Sequence, residues 1–299
     1  MKNKYIFLGD IDSINIELIF NSFSKLKKKV NYIVICNLED LKKYKRKSNS
    51  NIKLNELSDP LSFNSLNYKN LNCYHVAPSK IKIDNLIAQI NLCNKLCNLT
   101  GYDLITMPIN KYSFKKKITF KGMTEYFGML NNQKTLMLMV GENFSIIPIT
   151  THINLRDVSY KYEIKLNDFL SFFKILINKH ESLKKYENFI FLCFNPHCSE
   201  EGLLGFEDLT IKKYLIKFKK IQFKLKPADS AFKKIKKKTL YISFYHDQAL
   251  IPFKILNQKS YNETLGLNYR RLSPSHGTAK DIKYKNIADN TSYLQCMIN

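Results

Sequence analysis

Tyr-Ile-Phe-Leu at residues 5–8 and Tyr-Ile-Val-Ile-Cys at residues 32–36 are the stretches on which the fold turns. Each is a short run of β-branched and aromatic residues with no polar alternation, the pattern of a strand buried on both faces. Between them the apolar residues fall at looser, helix-like spacing, so the chain opens as β-α-β. Working outward, residues 84–99 carry Leu86, Ile87, Ile90, Leu92, Leu96 and Leu99 near helical spacing, with Gly101 as a stop and Leu104-Ile105 as the next strand. Residues 137–140 and 145–149 read as a strand pair or series, 167–178 as an apolar helix, and 189–194 and 240–244 as buried strands. Residues 42–72, rich in Lys, Asn and Ser, read as loops with a weak strand or two. Strands alternating with helices, and no internal repeat, indicate an α/β protein with a largely parallel sheet.

The chain has 299 residues, of which 44% are hydrophobic, enough for a substantial core and too many for a disordered protein. Its longest apolar stretch, around 169–177, is broken by Lys174, so no membrane-spanning helix is expected. The basic start, Met1-Lys2-Asn3-Lys4, leads into an apolar run too short for a signal peptide, and a cytoplasmic protein is expected. The formal charge of +23 suggests nucleic acid, yet only four of the 48 basic residues are Arg (Arg46, Arg156, Arg270, Arg271), and Lys-rich runs recur at 25–29, 115–117 and 233–238. Such a chain-wide lysine bias reads as solvated surface, with no nucleic-acid partner.

Seven cysteines (Cys36, Cys73, Cys93, Cys97, Cys193, Cys198, Cys296), an odd number without a CxxC pair, argue for reduced, mostly buried thiols and against a disulfide framework or zinc ribbon. Cys93 and Cys97, four apart on the 84–99 helix, read as core packing. Glycine is scarce, nine in all, and Gly122, Gly202, Gly205, Gly266 and Gly277 fall in polar segments where the backbone must bend or approach a ligand. His152, His197 and His246 each sit where an apolar strand runs out into a loop. That edge of an open α/β sheet is where ligands bind, and three neutral imidazoles suit a catalytic metal. Spacings of 45 and 49 residues do not establish convergence, and on the residues alone satisfied structural histidines are the favoured reading.

Seven ordered blocks carry a resemblance: Leu-Ile-Thr-Met-Pro-Ile-Asn-Lys at 104–111, His-Ile-Asn-Leu-Arg-Asp at 152–157, Asn-Pro-His at 195–197 with 200–205 after it, Lys-Pro-Ala-Asp-Ser-Ala-Phe at 226–232, Tyr-His-Asp-Gln-Ala-Leu-Ile-Pro-Phe-Lys at 245–254, Asn-Glu-Thr-Leu-Gly-Leu at 262–267 and His-Gly-Thr-Ala-Lys-Asp-Ile at 276–282. In this order they resemble the 4-hydroxythreonine-4-phosphate dehydrogenase family, PdxA, of vitamin B6 synthesis. The resemblance implies an α/β, two-lobed fold like that of isocitrate and isopropylmalate dehydrogenases, with parallel or mixed sheets and a central cleft. Its lobes would be residues 1–120 plus 257–299 and residues 121–256. It implies a homodimer with the active site at the subunit interface, NAD or NADP as cofactor, and one divalent ion (zinc, magnesium or cobalt).

By the same resemblance His152, His197 and His246 match metal ligands, and Thr124, Lys254, Asn262 and Arg271 match positions that hold a phosphorylated substrate. His276, Gly277, Thr278, Ala279 and Asp281 match the cofactor loop. Lys111, Asp229 and Asp247 are candidates for the base that takes the hydroxyl proton. The reaction implied is oxidation of 4-phosphooxy-L-threonine to a 2-amino-3-oxo acid that loses CO₂. The chain departs from the family at 9–17, which lacks the Gly- and Pro-rich opening, at Met123, where the family has His, and at Ser275, where it has an acidic residue. These departures keep two alternatives open: a dehydrogenase of a related phosphorylated hydroxy acid such as phospho-threonate or phospho-erythronate, and a non-catalytic relative.

Overall fold

In the computed structural model, which describes residues 2–110, 112 and 122–299, the chain divides into two compact units. The first comprises residues 1–131, 261–263 and 267–299, and the second residues 132–260 and 264–266. In chain order the first unit begins with β1 (Asn3–Phe7), α1 (Asn15–Leu26), β2 (Asn31–Cys36), α2 (Leu38–Lys47), β3 (Leu54–Leu57), β4 (Leu71–His75), α3 (Lys82–Thr100), β5 (Asp103–Thr106) and α4 (Met123–Leu130). The second holds β6 (Leu136–Gly141), β7 (Ser145–Pro148), α5 (Leu155–Lys179), α6 (Glu181–Lys184), β8 (Asn188–Leu192), α7 (Glu207–Lys217), β9 (Phe223–Lys226), β10 (Thr239–Ser243) and α8 (His246–Leu256). β11 (Ser260–Leu265) has residues in both, and β12 (Arg271–Pro274) and α9 (Thr291–Ile298) return to the first.

The strands of the first unit lie in the order β3-β4-β2-β1-β5-β12, every pairing parallel. β1 and β2 are buried along almost their whole length, as strands sandwiched between helices must be. α3 packs Leu86, Ile90, Cys93, Leu96 and Cys97 against Tyr5, Phe7, Ile33 and Ile35, and it stops at Gly101, which takes φ +70° as a left-handed cap. The opening β-α-β and the 84–99 helix are as the sequence indicates, and Cys93 and Cys97 are core residues. Residues 42–72 are more regular than expected. α2 fills 38–47, nucleated by Asn37 accepting from the Glu39 N–H at 3.1 Å and anchored by Leu38, Leu41 and Tyr44 alone. So narrow an apolar stripe in a lysine-rich segment gives almost no periodic signal.

In the second unit the order is β6-β7-β10-β8-β9, parallel except for the β6–β7 hairpin. Alternation along β8 divides its core in two. Phe189 and Phe191 meet the α5 rings Phe169 and Phe173, which stack at 4.9 Å. Ile190 and Leu192 join Phe144, Tyr241 and Phe253 on the α8 side. α5 begins at 155, earlier than its apolar half at 167–178 suggests, because Asn154 caps it by accepting from the Asp157 N–H at 3.0 Å. Among the described residues no helix is long and apolar enough to cross a membrane.

One expectation is overturned outright. Cys193 and Cys198 form a disulfide, while Cys36, Cys73, Cys93, Cys97 and Cys296 remain free and buried. An odd count forbids a full framework but says nothing against one local pair, and a strand end followed by a reversing loop brings these two Cα atoms to 5.1 Å.

Candidate active site

Strand order places three distant histidines on loops at one sheet edge. β10 lies between β7 and β8, all parallel, so the loops leaving their carboxyl ends share one edge of the second unit. His152 follows β7, His197 follows β8 and His246 opens α8 directly after β10. The rings of His152 and His246 stand 5.9 Å apart. His246 Nδ1 pairs with Asp247 Oδ1 at 2.7 Å, which fixes the ring and leaves Nε2 for a ligand. Asp247 is thereby placed as the partner of His246.

His197 is placed differently. Its Nδ1 pairs with Glu200 Oε1 at 2.7 Å, and that carboxylate, with Asp229 acting from farther off, raises its pKa above the ordinary histidine value. Glu200 precedes a reversal, and the whole segment 197–201 runs at positive φ, between 43° and 65°, without a glycine. Below it Asp208 accepts from the N–H groups of Phe194 and Asn195 at 2.6 and 3.0 Å and from Ser199 Oγ at 2.8 Å. Imidazole chemistry suits a divalent ion, and among the described residues of the single chain no three His, Cys, Asp or Glu side chains are grouped to hold one. Of the expected triad, His152 and His246 stand together, and His197 pairs with Glu200.

A second edge is built in the first unit. β1 is flanked by β2 on one side and β5 on the other, so successive connections depart in opposite directions, and such a switch point leaves a crevice at the carboxyl ends of the strands. Residues 8–14, 107–110 and 275–280 gather there. The Asp10 N–H donates to Pro108 O at 3.0 Å, the Ile14 N–H to Thr278 O at 3.1 Å, and Asn15 Nδ2 to Leu8 O and Pro108 O at 2.9 and 2.8 Å. Asp12 bridges Lys280 and Lys283 at 3.0 and 3.3 Å, and Lys82 meets Asp10 at 2.8 Å. The segment expected to carry cofactor, His276, Gly277, Thr278, Ala279 and Asp281, thus packs on the opening loop, an association that no sequence motif announced.

His276 is half-buried, its Nδ1 against Gly277 O at 2.8 Å, and burial lowers its pKa. A folded-state value below the ordinary one, near 6.5, means that acid protonates the unfolded chain preferentially. The stability His276 contributes is full above that range and is lost as pH falls through it. Thermal melts by circular dichroism at neutral and mildly acid pH are expected to show a loss on acidification that His276→Asn reduces. An identical loss in the variant would disprove the assignment.

The substrate candidates are divided. Arg271, Asn262 and Thr124 belong to the first unit and Lys254, exposed on α8, to the second. Arg271 is 3% exposed, its guanidinium 4.9 Å above the Phe127 ring of α4 and its Nη2 donating to Thr106 Oγ1 at 2.6 Å. Desolvation lowers its pKa to about 10. It is placed to brace α4, the helix that carries Thr124. Asn262 Oδ1 is buried with no hydrogen-bond partner among the described residues. Asp229 is exposed, and Lys111 lies outside the described residues.

A two-unit α/β chain with parallel strands and loop-borne polar groups at their carboxyl ends has the architecture of a dehydrogenase. It shares its fold with the crystal structure of 4-hydroxythreonine-4-phosphate dehydrogenase from Klebsiella pneumoniae, at TM-score 0.79 and 22% identity over 100% of this chain and 98% of that one. The family described as pyridoxal phosphate biosynthetic protein PdxA matches residues 16–298, and the chain belongs to that family. Among its relatives are proteins named 4-hydroxythreonine-4-phosphate dehydrogenase. That of Campylobacter fetus is 30% identical over 98% of this chain and 95% of its own length. That of Hydrogenobaculum sp. is 39% identical over a stretch covering 62% of this chain and 60% of that protein.

Proposed function

We propose that this oxidoreductase of pyridoxine biosynthesis oxidises 4-phosphooxy-L-threonine with NAD or NADP to 2-amino-3-oxo-4-phosphooxybutanoate, which decarboxylates to 3-amino-2-oxopropyl phosphate. The observation that carries the reading is the shared edge at β7, β10 and β8, where His152, His197 and His246 stand in the order the family requires. In the reaction the hydroxyl-bearing carbon passes hydride to the nicotinamide while the hydroxyl proton goes to a base. Asp229 and Lys111 are the candidates for that base, and Asp247 serves by holding the His246 ring. Lys254 supplies a point charge for an anionic substrate group. Arg271 acts by bracing the helix that carries Thr124, and Asn262 Oδ1 is left to accept from substrate. Loop 276–281, tied to 10–14, holds the dinucleotide. The resulting β-keto acid loses CO₂ once its ketone is polarised.

The reading includes a requirement for one divalent ion, with the three histidines as its donor set, a homodimer, and a cytoplasmic location. Exposed Leu203, Phe206 and Ile216, 84%, 72% and 72% accessible, give the second unit an apolar surface suited to a second copy of the chain. The test is NADH formation by the purified protein with 4-phosphooxy-L-threonine, NAD and zinc, magnesium or cobalt, against an EDTA control. Metal-dependent NADH formation is expected.

A second reading, a related phosphorylated hydroxy acid such as phospho-threonate or phospho-erythronate, is favoured by Met123, which packs against the apolar core of the first unit and offers no donor to a phosphate. Faster turnover of phospho-threonate would select it. No turnover of either compound, with no binding of NAD, would leave a non-catalytic relative.

A further inference from the structure

From the segment that follows the proposed cofactor loop we infer that the dinucleotide this chain takes is NADP, with Tyr284 as the platform for its adenine and Lys47 and Lys283 as the cations that hold its 2′-phosphate. The inference rests on the proposed seating of a dinucleotide on loop 276–281, and it adds which of the two dinucleotides that seat selects.

The segment is held by the first unit itself. After the turn at Lys280–Ile282 the chain folds back on α1, where Asn21 Nδ2 donates to Asn286 Oδ1 at 2.7 Å and the Ala288 N–H donates to Glu17 Oε1 at 3.2 Å. Tyr284 and Asn286 take φ of +66° and +57°. Side chains rarely adopt that region, and where they do the surroundings impose it, often beside a ligand site. The reversal lays Tyr284 on α2. Its ring stacks on that of buried Tyr44 at 5.4 Å, with 18° between the planes, and Tyr284 is still 40% exposed. An aromatic ring backed on one face and reached by solvent is a platform for a purine, because stacking needs a flat partner and no particular hydrogen bond.

Charge is arranged round the same ring. Lys47 Nζ, from the last turn of α2, and Lys283 Nζ lie 5.1 and 5.0 Å from its centre. Lys283 is positioned by Asp12 at 3.3 Å, and its side chain is only 17% exposed. Lys47 is exposed and, among the described residues, in no ion pair. Two ammonium groups beside a stacking surface suit a phosphate carried on the ribose of a stacked adenosine. That ribose is what separates the dinucleotides: a carboxylate accepting from the 2′-hydroxyl selects NAD, and a cation meeting the 2′-phosphate selects NADP. Asp12, the carboxylate beside the loop, is already committed to Lys280 and Lys283 at 3.0 and 3.3 Å. Hydrogen bonds from those lysines hold its carboxyl below the usual carboxylate range, so it stays ionised and paired. Asp40, also within electrostatic reach of Lys283, is shared with Lys43 and Lys82. Asp281, exposed on the loop itself, is the carboxylate that a preference for NAD would use.

The test is binding by the full chain without substrate. Isothermal titration compares NADP with NAD, and adenosine 2′,5′-bisphosphate with adenosine 5′-monophosphate. NADP is expected to bind at least about tenfold more tightly than NAD, as hydrogen bonds to a charged group allow. The nucleotides should follow the same order, and the preference should shrink as salt rises. Lys47→Ala and Lys283→Ala should each weaken NADP more than NAD, and the double variant should lose the preference. Tyr284→Ala should weaken both dinucleotides alike, and Tyr284→Phe should bind them as the parent does. The inference is overturned if NAD binds as tightly as NADP or more tightly, which would give the ribose to Asp281. It is also overturned if the double variant, shown to be folded by its thermal midpoint, keeps the parent's preference, or if Tyr284→Ala binds both unchanged. A chain that prefers NAD and forms NADH from 4-phosphooxy-L-threonine overturns this inference and leaves the proposed function standing. A chain that binds neither dinucleotide overturns both.

Discussion

Replacing His246 by Ala is expected to reduce NADH formation by about 10²–10⁴-fold while leaving the thermal midpoint within a few degrees of the parent. Both halves follow from its position. His246 is the first residue of α8, at the carboxyl end of the central strand of its edge, with its ring 5.9 Å from that of His152. It belongs to the pair, and Asp247 on its inner nitrogen leaves the outer nitrogen for a ligand. Stability is spared because the side chain is partly exposed and its Nδ1 hydrogen bond is to the adjacent residue. Asp247→Asn should give a smaller loss, of about 10–100-fold, because it alters the orientation and basicity of His246 and removes no group that meets the substrate. Turnover of His246→Ala within tenfold of the parent, by the same assay, would dismiss this edge as the seat of the reaction.

The largest expected effect on stability is at Gly9. It takes φ +75°, and a Cβ there would lie 2.5 Å from Pro108 O, 2.6 Å from Asn15 Nδ2 and 2.8 Å from Met107 O. Two of those atoms are backbone carbonyls held by β5 and its exit loop, so they cannot withdraw cheaply. Gly9→Ala is expected to cost about 2–4 kcal/mol, lowering the thermal midpoint by roughly 4–12 °C. Gly101 is the natural control. It has φ +70° with nothing within 4 Å of the site of a Cβ, so Gly101→Ala should cost only about 1 kcal/mol for the backbone conformation. Equal shifts in the two variants would show that close approach at the β1 exit is not what Gly9 serves. Because loops 8–14 and 275–280 are hydrogen-bonded together, the Gly9 variant should also bind NAD more weakly.

These two cases show how far residue patterns reach. Tyr-Ile-Phe-Leu and Tyr-Ile-Val-Ile-Cys are legible as buried parallel strands because burial on both faces removes polar alternation, a property of each segment alone. The helix at 84–99, its glycine stop and the packing role of Cys93 and Cys97 are legible for the same reason. α2 and the first half of α5 are not, since one is held by three apolar residues and a cap, and the other presents Arg156, Asp157, Lys161 and Glu163 in a segment that resembles a polar loop. The histidines are marked by their place at strand ends, and the ordered blocks by their resemblance to the PdxA family.

What lies beyond the linear pattern is adjacency. Nothing local in the chain says that β10 inserts beside β7, yet that order brings His152 and His246, far apart in sequence, together. The pairing of Cys193 with Cys198 and the burial of Arg271 on Phe127 are likewise decided by which surfaces meet. Local propensity, hydrophobic period and glycine placement are written residue by residue, so the sequence carries them directly. Strand order and side-chain convergence depend on long-range packing, whose free energy is shared among many residues, and they exist only once the chain has closed.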